Sequence, residues 1–105
     1  MAWIALFFAG LLEVVGAYSM KISDGFSRPG AAAVTLAAMA ASFGLLAWAM
    51  RQLPLGTAYT VWTGIGAVGA FAVGVAVLGE SANAMRLVAM AMIVGGIMLM
   101  KLATP

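Results

Sequence analysis

Glu13 is the residue whose chemistry demands an explanation, because it is the one charge in an otherwise apolar run from Trp3 to about Met20. That run is long enough to cross a bilayer as a helix, and at about 1.5 Å per residue Glu13 lies roughly 15 Å from its start. This is near the bilayer midplane, where an ionisable group costs at least a few kcal/mol and survives facing a protein interior or a wet cavity. Its neighbours three and four residues away are Ala9, Gly10, Gly16 and Ala17, all small. Small residues there either open space beside the carboxylate or let another helix approach closely. Packing explains the glycines but not the acid. A carboxylate at this depth can hold a proton or a cation, and that exclusion is what exchange of one for the other requires.

A second group of candidates lies in Tyr59-Thr-Val-Trp62-Thr-Gly64-Ile-Gly66. Tyr59, Trp62, Thr63 and Gly66 share a helical face by the three-and-four rule, lining up a phenol, an indole and a hydroxyl. Rings of this kind can hold a desolvated cation, at roughly 1 to 2 kcal/mol each. Tyr59 also suits an interfacial anchor. Trp62, roughly 12 Å into a helix starting at Pro54, is too deep for that role. Ser42 offers a hydroxyl at comparable depth with Met39 one turn earlier, although a serine in a membrane helix can also bond back to its own carbonyl. Gly64, Gly66 and Gly69 spell G-x-G-x-x-G, but no strand precedes them, so a dinucleotide loop is excluded and close packing or a kink is expected. There is no His or Cys and only three Asp/Glu. Disulfides, thiol catalysis, a metal centre and a resident cofactor are therefore not expected, and neither is an enzyme.

The elements that must position these groups follow from composition. Of 105 residues 66% are hydrophobic and 8% charged, and the mean hydropathy is +1.15, which places the chain in a lipid bilayer rather than in water. The net charge of +2 comes from a few scattered residues, so no nucleic-acid partner is implied. Breaks at Lys21 to Pro29, Arg51 to Gly56 and Gly79 to Asn83 divide the chain into apolar runs at about 3–20, 30–50, 54–78 and 85–102. The expected architecture is all-α, one domain over 1–105, with four transmembrane helices and both termini on one side. The first run lacks a basic leader and carries Glu13, so it reads as a retained span rather than a signal peptide. Ala91 and Gly95 give the fourth a small-xxx-small spacing without a polar group before Lys101, which marks it for packing or dimerisation. The nine methionines serve as flexible filler, or as a pliable lining for varied ligands.

The side with the termini holds Arg51 and Lys101, and the other holds Lys21, Arg28 and Arg86. A difference of one residue gives the insertion machinery little to act on, so dual topology follows. A chain inserted both ways can pair with an inverted copy of itself, making from two chains the inverted repeat that larger transporters carry in one.

The sequence resembles the small multidrug resistance family of four-helix exporters over essentially its whole length. The resemblance is carried by Trp3, Glu13-Val14-Val15, Met20-Lys21, Ser23-Asp24-Gly25-Phe26-Ser27-Arg28, Leu53-Pro54-Leu55-Gly56-Thr57-Ala58-Tyr59 and Val61-Trp62-Thr63-Gly64-Ile65-Gly66-Ala67. It implies an antiparallel homodimer in the inner membrane, with two copies of Glu13 lining one pocket and exchanging protons for a small organic cation by alternating access. It implies too that the fourth span makes most of the dimer contact. Trp62-Thr-Gly-Ile-Gly-Ala67 and Lys101 look like the guanidinium exporter subtype, in which the groups matching Ser42, Tyr59 and Trp62 form a hydrogen-bonded stack around the acid. Two positions depart from that pattern: Gly16, where it has Trp, and Thr60, where Ala is usual. Gly one turn after the acid is a feature of polyaromatic-cation exporters, so a wider pocket that also takes quaternary ammonium is expected. The alternatives are a quaternary ammonium exporter, one half of a heterodimeric pair, a proton-translocating ring subunit and a non-transporting accessory subunit.

Overall fold

The computed structural model describes residues 1–104. They form four helices, α1 (Ala2–Ile22), α2 (Pro29–Ala49), α3 (Leu55–Ala76) and α4 (Ala84–Ala103), each long and apolar enough to cross a membrane. The helices begin where the sequence supplies stop and start chemistry. Pro29 opens α2, where its missing N–H is no loss. Pro54 stands just before α3 rather than in its first turn, with φ −59° and ψ 150°. Asn83 caps α4 by accepting the Arg86 backbone N–H at 3.0 Å.

Observed bounds differ from the expected spans by at most two residues, and the two largest differences have physical causes. α1 continues to Ile22, so Lys21 is helical. The turn begins only at Ser23, whose Oγ donates to the Met20 carbonyl (2.7 Å) and accepts from the Phe26 N–H (3.1 Å). Asp24, Gly25 and Phe26 then all take positive φ, which reverses the chain within a few residues. α3 stops at Ala76 because Gly79, at φ +72°, folds the Glu80 N–H back onto the Gly74 carbonyl at 3.0 Å.

The core lies where α1 meets α2 and α3, and includes Leu6, Ala9, Leu46, Ala49, Ala58, Val61 and Trp62. In lipid the apolar faces gain little by leaving the solvent, so close backbone approach and buried hydrogen bonds must hold the helices together. The glycines provide that approach: Ile65 packs over Gly10, Ile97 over Gly64 and Val14 over Gly69. α4 packs against α3 and has no buried residue. The protomer is a slab of 43 × 35 × 16 Å, with side chains such as Phe7, Leu36, Phe43 and Leu99 exposed. The start of α1 and the end of α4 lie at one end, where the Lys101 ammonium stands 4.9 Å above the Trp3 ring and the Thr57 and Thr104 hydroxyls meet at 3.1 Å. Lys21, Glu80 and Arg86 line one cavity at the other end.

Candidate functional site

The site is assembled where α1, α2 and α3 converge at mid-length. α1 presents Glu13 to α3, and its carboxylate rests directly on Gly66: a Cβ at that position would overlap Oε1 and lie 2.5 Å from the carboxyl carbon. Glu13 Oε1 is buried and has no hydrogen-bond partner among the described residues. A buried oxygen without a donor leaves a place where a proton or a cation can bind.

One turn along α3 from Gly66, Trp62 is anchored by a relay that joins all three helices. Its Nε1–H donates to Ser42 Oγ at 2.9 Å, and the Ser42 hydroxyl donates to the Ala9 carbonyl at 2.6 Å. Ser42 is fully buried and reaches across to α1 rather than back to its own helix. Thr35 is the α2 residue that bonds to its own helix, donating to the Ala31 carbonyl at 3.0 Å. Ala9 lies one turn before Glu13, so the relay ties the indole to the stretch of helix that carries the acid.

Two rings complete the wall. Tyr59 and Phe43 each stand 5.6 Å from Trp62, centroid to centroid, tilted by 48° and 46°. Tyr59 joins through its ring and makes no hydrogen bond among the described residues, and it is 54% exposed. The polar stack within one protomer is thus Trp62, Ser42 and Ala9, with Tyr59 leaning on it.

The expected line along α3 is divided. Trp62 and Gly66 turn inward, whereas Thr63, about 100° further round than Trp62, is exposed. With Tyr59 and Thr60 it lines a groove of about 490 Å³ between α3 and α4. The space expected beside Gly10 and Gly16 is filled within the protomer. Ile65 occupies the first, and Met39 the second, its Cε 2.9 Å from where a Gly16 Cβ would stand. Met39 therefore belongs to the same wall, as a flexible thioether over a bare stretch of backbone. Two participants were not singled out by the sequence for what they do here. Gly66 was legible only as a member of a face, and Phe43 as one more apolar residue of α2.

The family described as Small Multidrug Resistance protein matches residues 1–93. The guanidinium exporter of Escherichia coli strain K12 is 59% identical over 104 residues, spanning 99% of both chains. The guanidinium exporters of Citrobacter freundii and Salmonella typhimurium are each 55% identical over the same length and coverage.

Proposed function

The chain belongs to the small multidrug resistance family, and on that premise we propose that it exports guanidinium-type cations in exchange for protons, with Glu13 the group both compete for. It is a multi-pass protein of the inner membrane, with four apolar helices. The observation that carries the proposal is the Glu13 carboxylate, midway along α1 and seated on Gly66, with a buried Oε1 that has no hydrogen-bond partner among the described residues. A proton satisfies it; so does a guanidinium, whose planar pair of N–H groups matches a carboxylate. Trp62, fixed by Ser42, and Tyr59 beside it supply the faces that compensate a cation for lost water. Since one group takes either ligand, each binding event expels the other.

The working unit in this reading is an antiparallel pair of identical chains. α4 without a buried residue, and open space above Gly95 and Gly96, support a partner on that face. The near-balanced charges at the two ends support insertion both ways. Substituted guanidinium and quaternary ammonium cations belong to the proposed range as well. Met39 over Gly16 is what favours this, because a thioether can swing aside where an indole would not.

The test is current in proteoliposomes driven by guanidinium and by a tetraalkylammonium. Glu13→Gln keeps the size and removes both charge and proton exchange, so coupled current should disappear while the dimer still assembles. Cation uptake driven by a pH gradient in Glu13→Gln would refute the assignment. Proton flux without cation dependence would favour the ring-subunit alternative instead.

A further inference from the structure

The loop end of the protomer holds charges that the central site does not use. A cavity of about 360 Å³ opens there between α1 and α3 under the α3–α4 turn, lined among others by Lys21, Phe71, Gly74, Glu80 and Arg86. The Glu80 carboxylate is seated on Gly74, where a Cβ would lie 2.5 Å from Oε1 and 2.8 Å from the carboxyl carbon. The guanidinium of Arg86 is held on three sides. Its Nη2 is 3.7 Å from Glu80 Oε1, its Nη1 donates to the Ser81 carbonyl at 2.6 Å, and its Cζ is 4.8 Å from the centre of the Phe71 ring. A carboxylate, a carbonyl oxygen and an aromatic face are what a free guanidinium would require of a binding site.

We propose that this cavity is a second, peripheral site for guanidinium-type cations, kept filled by the Arg86 side chain until an incoming cation displaces it. Its placement fits a loading step. Gly66 and Gly74 are eight residues apart on α3, roughly 12 Å, and each seats a carboxylate, Glu13 on the first and Glu80 on the second. Val14, adjacent in sequence to Glu13, packs over Gly69 between them and lines the cavity. A cation at Glu80 is therefore two helical turns from the central acid along the same seam between α1 and α3.

Charge decides how the site fills. Lys21 and Arg86 line the cavity together with one carboxylate, so a further cation is repelled while Arg86 stays in place, and binding is an exchange. The exchange is an easy one: the Glu80–Arg86 pair is long, and the two side chains are 44% and 40% exposed, the class of ion pair that water screens well. A tethered competitor acts at an effective concentration in the millimolar range. Free guanidinium must reach similar levels, which suits a transient station.

The proposal takes only the type of cation from the reading of Glu13, and its test is made in Glu13→Gln protein, where the central carboxylate is gone. Guanidinium chloride is titrated into the reconstituted full-length dimer while nuclear magnetic resonance follows the Gly74 amide and the Arg86 Nε, with sodium chloride as the ionic-strength control. Saturable shifts with guanidinium alone are expected. Adding Arg86→Gln should lower the midpoint at least about fivefold, because the competent fraction of sites rises. Arg86→Lys, which keeps the charge and loses the planar fork, should fall between. Adding Glu80→Gln should abolish saturation. Absence of a saturable Gly74 shift, or a midpoint that Arg86→Gln leaves unchanged, would overturn the proposal. A failure of Glu13 as the central acid would show in transport by Glu13→Gln, which this titration does not read.

Discussion

Gly66→Ala puts one carbon into the seat of the Glu13 carboxylate, and its consequences can be worked from the contact. The new Cβ would lie 2.5 Å from the Glu13 carboxyl carbon and 3.2 Å from its Cγ, besides overlapping Oε1. Ordinary contact begins at about 3.5 Å, so the carboxyl group must retreat by about 1 Å. It is the end of a flexible side chain facing helical backbone, so the carboxylate moves and the helix does not. A side chain pushed off its rotamer costs about 0.5–1.5 kcal/mol, and alanine in place of glycine inside a helix returns about 0.8–1.0 kcal/mol. Stability should therefore hardly change.

Transport has no such compensation. A displacement of about 1 Å in a positioned group can cost on the order of a hundredfold in rate, and here it moves the carboxylate relative to the indole that Ser42 holds. Guanidinium-driven current at matched protein density should fall at least about tenfold, with the thermal midpoint within about 4 °C of the parent. Gly69→Ala is the contrast, because its Cβ would meet Val14, a β-branched side chain with little freedom to yield. That variant should lose stability first. Parental current and apparent affinity in Gly66→Ala would refute the view that the carboxylate works from this seat.

Ser42→Ala strands the buried Trp62 N–H, a loss of about 1–3 kcal/mol; the thermal midpoint should drop by several degrees and guanidinium affinity about tenfold, and a variant unchanged in both would remove Ser42 from the site. Adding one lysine beside Arg51 and another near the C-terminus should force a single orientation and silence transport, with activity restored by co-expressing an oppositely biased variant. Normal transport by the single-orientation form alone would exclude antiparallel pairing. Gly16→Trp must displace Met39, whose Cε is 2.9 Å from the new Cβ, and should reduce tetraalkylammonium current more than guanidinium current. A parent protein that carries guanidinium but no bulky cation would overturn the pliable-wall reading.

The four helices were legible because hydropathy in a membrane chain is a coarse, strong signal, and Pro29, Pro54, Gly79 and Asn83 mark three of its breaks unambiguously. The end of α1 was less so, because the serine that caps it and the left-handed Asp24 and Phe26 depend on side-chain hydrogen bonds that spacing does not reveal. Glu13 and Trp62 declared themselves by depth and chemical type. What spacing could not supply was the other half of each contact. Residues that share a face by the three-and-four rule can still have different neighbours, as Trp62 against Ser42 and Thr63 in the α3–α4 groove show. Small residues around the acid allow either room or close packing, and Ile65 over Gly10 and Met39 over Gly16 show that the space is filled within the protomer. Gly66 is the converse case, a glycine whose purpose is visible only once the carboxylate is seen resting on it.

The thin protomer connects the charge balance to the chemistry. In a slab 16 Å through its short dimension, a cation at Glu13 is covered by α1, α2 and α3 on one side only, and Tyr59, at 54% exposed, marks where enclosure stops. A desolvated cation bound to one such face would lose more to hydrocarbon than a single carboxylate and two rings return. Closing the pocket takes a second wall, which the proposed second copy of this chain would supply. A copy in the same orientation would give a pocket whose two ends differ permanently, because the termini and the loop end differ. An inverted copy gives a pocket whose ends are equivalent, so that opening to one side and opening to the other are the same structure reached by exchanging the roles of the two protomers. Under the proposed antiparallel pairing, the near-tie of Lys and Arg would itself serve transport, because it would supply both orientations from one sequence.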